Sequence, residues 1–237
     1  MATQTLLPKI KFCGLTRSED VTAAIACGAD AIGLNFYHAS PRYVAPATAR
    51  ELGEIAQKSQ GISNSVMRVG VFVNASPSEV DAVLAICPLD CIQLHGDETP
   101  NWLDDSLAFS SLQSIYFIKA IAWRDCDEDR TIALHWSGKH DARLLGLLVD
   151  AFDPIQRGGT GKTARWDLLS PRPFELKNTP LLLAGGLTSE NIAEAIRIAK
   201  PQGIDVASGI EISPGFKDYA KMQAIGDIAR QMILENQ

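Results

Sequence analysis

No stretch of this chain approaches the roughly 20 consecutive apolar residues that a bilayer-crossing helix requires. The opening MATQTLLPKI has no charged segment followed by an apolar run, so no secretory signal is read and a cytoplasmic protein is expected. Cysteine is sparse and odd in number: five residues (Cys13, Cys27, Cys87, Cys91, Cys126) at irregular spacing suit reduced thiols better than a disulfide framework. Cys87 and Cys91 resemble half a metal site, but no second Cys/His pair completes it, so a helix end followed by a strand start is expected there and no metal site is assigned. Basic residues are outnumbered, 22 Lys and Arg against 28 Asp and Glu, for a formal charge of −6. That balance argues against a nucleic-acid or anionic-membrane partner while leaving room for a local phosphate pocket. Low-complexity segments and compositional breaks are also missing.

What is present is a repeat of short apolar runs and amphipathic stretches. Strands are expected at 9–13, 31–36, 67–73, 91–95, 115–121, 144–150, 180–184 and 204–208. Most are continuously apolar, as parallel strands covered on both faces tend to be. Between them, Ser76-Pro77-Ser78-Glu79 predicts an N-cap, a first-turn proline and a capping-box glutamate, with Val80, Val83, Leu84 and Cys87 on one face. Thr16 and Glu19 suggest a similar box before Val21, with Gly28 as the stop. Thr99-Pro100 opens another helix; Ile192, Ile196 and Ala199 mark a later one, and Ile225, Ile228, Ala229 and Met232 the last. Eight strand–helix units predict an α/β fold, a (β/α)8 TIM barrel, as a single domain over 1–237 with its barrel core at about 9–234. An open doubly wound sheet would show fewer units. The stretch 122–143 hides its helix boundaries among polar residues, Trp123 and Trp136.

Active sites of such barrels form at the C-terminal ends of the strands. Cys13 ends the first strand, where nearby helix N-termini favour a thiolate; a small buried packing residue is the other reading, and position leaves both open. Asp150 closes LLGLLVD, either as a cap or as a carboxyl that partial burial keeps protonated for acid catalysis. Glycine-rich turns follow the late strands: Gly158-Gly159-Thr160-Gly161, Gly185-Gly186 and Ser208-Gly209. Glycine lets backbone N–H groups approach an anion closely, and the last two turns stand where barrels often bind phosphate. Gly161-Lys162-Thr163 mimics the end of a P-loop, but that pattern needs glycine at 156, where Gln156 stands, so an NTPase is rejected. Arg42, on the loop after the second strand, is either a carboxylate fork or a solvated charge.

The motifs KFCGLTRSEDV, GADAIGLNFYHASPRYV, VGVFVN, IQLHGDE, IKAI, LLVD, GGTGKT, LLAGGL and IDVASGIE, in this order from Lys9 to about Tyr219, make the chain resemble the phosphoribosylanthranilate isomerase family of tryptophan biosynthesis. The resemblance implies an aldose–ketose isomerase that performs an Amadori rearrangement on a phosphorylated small molecule without metal, nicotinamide or pyridoxal cofactor. It implies Cys13 as general base, Asp150 as general acid and Arg42 as the holder of the anthranilate carboxylate. Gly185, Gly186, Ala207, Ser208 and Gly209 match the phosphate-binding turns. Gln93 and His95 look like pocket-lining residues, as do Gly159 and Thr160, and Asp205 sits on the sugar side. Monomer and homodimer both remain open. Thr163-Ala164-Arg165-Trp166 departs from the Phe-Asp-Trp run usual after GGTGKT, and 122–143 matches nothing distinctive.

Other phosphate-binding barrels are the nearest rivals. An indoleglycerol-phosphate synthase needs a catalytic lysine, for which Lys119 is a partial candidate. A ribulose-phosphate epimerase needs a metal cluster, yet only His95 among the histidines is at a strand end. A non-catalytic barrel that binds a phosphosugar is the reading from a different class.

Overall fold

The computed structural model describes residues 7–58, 66–150 and 165–235. Eight parallel strands close into a barrel in sequence order. They are β1 Ile10–Cys13, β2 Ala31–Asn35, β3 Met67–Phe72, β4 Cys91–Leu94, β5 Tyr116–Ala122, β6 Leu144–Asp150, β7 Leu181–Ala184 and β8 Gly203–Val206. Closure comes from β1 pairing with β8, Lys11 standing opposite Asp205. Each expected strand is found within one or two residues. The largest difference is at β8, which ends at Val206, after which Ser208–Ile210 turns into a short 3-10 helix.

The outer layer comprises α1 Ser18–Ala26, α2 Pro46–Lys58, α3 Pro77–Leu84, α4 Asn101–Ser106, α5 Asp127–Ser137, α6 Ile192–Ala199 and α7 Tyr219–Glu235. A hairpin of β9 Glu211–Ser213 and β10 Phe216–Lys217 separates β8 from α7. Between β6 and β7 the described residues carry two 3-10 helices, Trp166–Leu169 and Phe174–Leu176, in place of the expected α-helix. The Ser76 capping box is formed, its side chain accepting from the Glu79 N–H while the Glu79 carboxylate accepts from the Ser76 N–H. The Thr16 box is not. Arg17 occupies the cap position without a side-chain cap, and the Thr16 hydroxyl donates to the Gly215 carbonyl at 2.6 Å.

Alternation along the strands separates two apolar layers. Ala31, Val69, Cys91, Ile118, Ala120, Leu148, Leu182 and Ala184 fill the barrel interior. Neighbours of opposite parity, such as Phe12, Ile32, Phe117, Leu147 and Leu183, pack outward against the helices. The same parity aims the last interior position of each strand at the mouth of the barrel. Cys87 and Cys91 are both buried; Cys91 opens β4 as expected, whereas α3 stops at Leu84 and Cys87 falls in the connection that follows it. Among the described residues no helix is long and apolar enough to cross a membrane.

Candidate active site

Cys13 and Lys11 share the interior parity of β1, one near the mouth and one a layer below. Cys13 is buried, and Lys11 has no exposure at all. The Lys11 ammonium donates to Asp205 Oδ1 at 2.7 Å, and its charge favours the thiolate of Cys13. Opposite Cys13 on β2 stands Gly33. A Cβ there would lie 2.6 Å from Cys13 Sγ and 3.0 Å from Lys11 Nζ, so only glycine leaves these two groups their place. Burial pushes the Cys13 thiol above its ordinary range and Asp205 adds to the push, while Lys11 and Lys217 oppose it. For Lys11, burial works against the ammonium, but Asp205 and Cys13 outweigh it and hold the group above the usual lysine range.

Arg42 is not a solvated surface charge. Its Nε and Nη2 donate to Glu211 at 2.7 and 2.6 Å, a two-point fork. Glu211 also accepts from Lys217 Nζ at 2.9 Å and from the Gly215 N–H at 3.1 Å. Burial alone would raise the Glu211 carboxyl, yet Arg42 and Lys217 hold it below the usual range. Lys217 is itself buried, and its other bonds go to the carbonyls of Cys13 at 2.7 Å and Ala207 at 3.0 Å. This one side chain thereby ties the end of β1 to the turn after β8. A guanidinium has a second edge, and Arg42 keeps about a fifth of its side chain exposed to present it.

Asp150 ends β6 between Ala122 of β5 and Ala184 of β7, both small side chains. With His95, Lys119, Arg124 and Trp136 it lines a cavity of about 550 Å³. His95 follows β4 and offers surface to this cavity even though protein atoms crowd around it. That crowding pulls its imidazole below the ordinary histidine range, toward the neutral form. Gln93, fully buried one layer down, meets His95 Nδ1 through Nε2 at 2.6 Å.

The two turns expected to bind phosphate stand side by side. Gly185 and Gly186 adopt φ of +92° and +60°, backbone that other residues resist. Gly209 approaches Leu187 so closely that a Cβ would fall 1.7 Å from its carbonyl oxygen. Asn191 fixes the first turn, donating to the Gly186 carbonyl at 2.9 Å and accepting from the Thr188 N–H at 2.8 Å. Gly186 and Ser208 remain exposed at the mouth, beside half-buried Ala207. Gly159 and Thr160 lie outside the described residues.

Lys119 has the wrong parity for a group that reaches into the barrel. Ile118 and Ala120 face the interior, whereas Lys119 is turned to the helix layer. There it is buried, bonded to Glu98 at 2.8 Å with the Trp136 ring 5.7 Å away.

This geometry has known relatives. The family model described as N-(5'phosphoribosyl)anthranilate (PRA) isomerase matches residues 10–227. The chain belongs to the phosphoribosylanthranilate isomerase family. N-(5'-phosphoribosyl)anthranilate isomerase of Acidithiobacillus ferrooxidans is 42% identical over 214 residues, covering 90% of this chain and 93% of that protein. The Chlorobium chlorochromatii isomerase is 40% identical over 92% of this chain and 94% of its own. Among solved structures, phosphoribosyl anthranilate isomerase from Thermotoga maritima superposes with a TM-score of 0.77 at 32% identity, covering 95% of this chain and all of that one. Another phosphoribosyl anthranilate isomerase, solved in complex with reduced 1-(o-carboxyphenylamino)-1-deoxyribulose 5-phosphate, gives 0.74 at 31% identity over the same shares.

Sequence reasoning about this isomerase family member missed Gly33, Glu211, Lys217 and Asn191, and passed over Lys11. Only Lys11 carries a local signal: a charge two residues before Cys13, on the inward parity of an apolar strand, must find a buried partner.

Proposed function

We propose that the chain catalyses the Amadori rearrangement of N-(5-phosphoribosyl)anthranilate to 1-(2-carboxyphenylamino)-1-deoxyribulose 5-phosphate. The observation that carries this is the mouth itself. A buried thiol ends β1 beside an arginine with one edge held by Glu211, a carboxylate ends β6 between two alanines, and paired glycine turns follow β7 and β8.

Asp150 donates a proton to the ribose ring oxygen as the anthranilate nitrogen pushes the ring open to a protonated Schiff base. The Cys13 thiolate then takes the proton from the adjacent sugar carbon, and the resulting enolamine tautomerises to the ketone. Atoms are conserved throughout; only protons move between substrate and side chains. Backbone N–H groups of Gly185, Gly186, Ala207, Ser208 and Gly209 receive the phosphate. The outer edge of Arg42 takes the anthranilate carboxylate while Glu211 holds the inner one. His95 and Gln93 line the pocket. The work is assigned to the cytoplasm, with a phosphorylated small molecule as the partner.

Purified protein mixed with freshly made phosphoribosylanthranilate and an excess of chelator should extinguish the substrate's fluorescence and yield the ketose. No consumption under these conditions would overturn the assignment.

A further inference from the structure

Beneath the proposed acid and base lies a charged pair that the proton transfers above do not use. Lys11 is wholly buried on β1, and Asp205, its register partner on β8, is nearly so. An ammonium has three donors and no acceptor. Asp205 takes one N–H at 2.7 Å, and the Cys13 sulfur stands beside the same ammonium, the two lying 2.6 and 3.0 Å from the point where a Gly33 Cβ would stand. Gly33 removes the side chain that would otherwise wedge between sulfur and ammonium, since both crowd the place its Cβ would fill.

We propose that Lys11, held by Asp205, sets the thiolate fraction of Cys13 and so acts as a positioning residue for the base without touching substrate. This presupposes the reading of Cys13 as the base. Two residues apart on one strand, both side chains enter the barrel, and Asp205 across the β1–β8 seam stops the ammonium from turning away. The charged groups at this end of the barrel form a matched pattern. Lys11 comes from β1, Arg42 from the loop after β2, Asp205 from β8, Glu211 from β9 and Lys217 from β10. From the end of β4, His95 faces the same Asp205 and Lys11. With His95 neutral, three cations meet two carboxylates, and a Cys13 thiolate completes the balance. Arg42 and Lys217 are already engaged by Glu211, which leaves Lys11 as the cation beside the sulfur that Glu211 does not claim. Its pull opposes both burial and Asp205 on the same thiol.

The two members of the pair therefore act on Cys13 with opposite sign, which a purely structural role does not produce. The test is a substrate-free pH titration of thiolate ultraviolet absorbance, taken for each protein as the difference from its Cys13→Ser counterpart to remove the other four cysteines. Lys11→Met should move the Cys13 titration up by roughly one pH unit or more, and Asp205→Asn should move it down. Where Lys11→Met fails to fold because Asp205 is left unpaired, the Lys11→Met/Asp205→Asn double variant replaces it and should titrate above Asp205→Asn alone. Shifts of the same sign, or none, overturn the proposal. Because no substrate is present, an inactive isomerase would defeat the assigned reaction and leave this result standing. An active isomerase with unshifted titrations would do the reverse.

Discussion

At the scale of single residues, the site depends on side chains that are missing as much as on those present. Gly33 is the clearest case, because any Cβ there collides with Cys13 Sγ and Lys11 Nζ. Gly33→Ala is expected to cost about 1–3 kcal/mol through overpacking, read as a lower Tm. It should also lower kcat by roughly 10²-fold, since a displacement of about 1 Å at a reacting group has that effect. Full kcat in the variant would show that the sulfur has another place to stand. Cys13 and Asp150 were open to proposal from the sequence because each ends an apolar strand, and Arg42 because it stands in the SPRYV run on the loop after β2. Glu211 was not, although it stands in the IDVASGIE motif, because its partner Arg42 is 169 residues away. A long-range pair leaves no periodicity and no spacing to read.

At the scale of elements, the turns after β7 and β8 form one structure held by Asn191 and Gly209. Asn191→Ala removes the bonds to the Gly186 carbonyl and the Thr188 N–H. At about 1 kcal/mol for each bond, KM should rise roughly 10-fold or more with kcat little changed. An unaltered KM would mean that the turn keeps its shape without the clamp. Asn191 also shows why local rules misplace some features. It stands at the N-terminus of α6, where such a residue normally caps the helix, yet its side chain serves the turn instead. Thr16 follows the same logic: its hydroxyl goes to Gly215, next to the hairpin strand that carries Lys217. At Thr16 a contact 199 residues away took a side chain that the sequence pattern assigned to a cap, whereas Asn191 is taken by bonds inside its own turn. The Ser76 box formed because both its partners lie within three residues.

At the scale of the whole molecule, the barrel was legible because eight apolar runs recur with helical stretches between them, and both kinds of element follow from local pattern. The segment before β7 was less so: Trp166 and Leu169 are buried from a 3-10 turn, a conformation too short for helical periodicity to reveal. Charge at the mouth also bears on global stability. His95 is held below its ordinary range, so the unfolded chain takes up its proton first and stability falls as pH drops through about 6.5. Glu211 is held low by Arg42 and Lys217 against burial; its contribution is present above about pH 4.3 and is lost as pH falls further. Thermal unfolding followed from pH 8 to pH 3 should therefore show Tm declining in two stages. A flat Tm down to pH 4 would contradict the first.

The central claim is that one thiol and one carboxylate, closing β1 and β6, carry the proton transfers. Steady-state turnover of phosphoribosylanthranilate by Cys13→Ser and Asp150→Asn, each checked for an unchanged Tm, tests it most directly. Each variant should lose about 10²–10⁴-fold in kcat, the span expected for removing a general base or acid. Two folded variants that both keep near-full activity would contradict it.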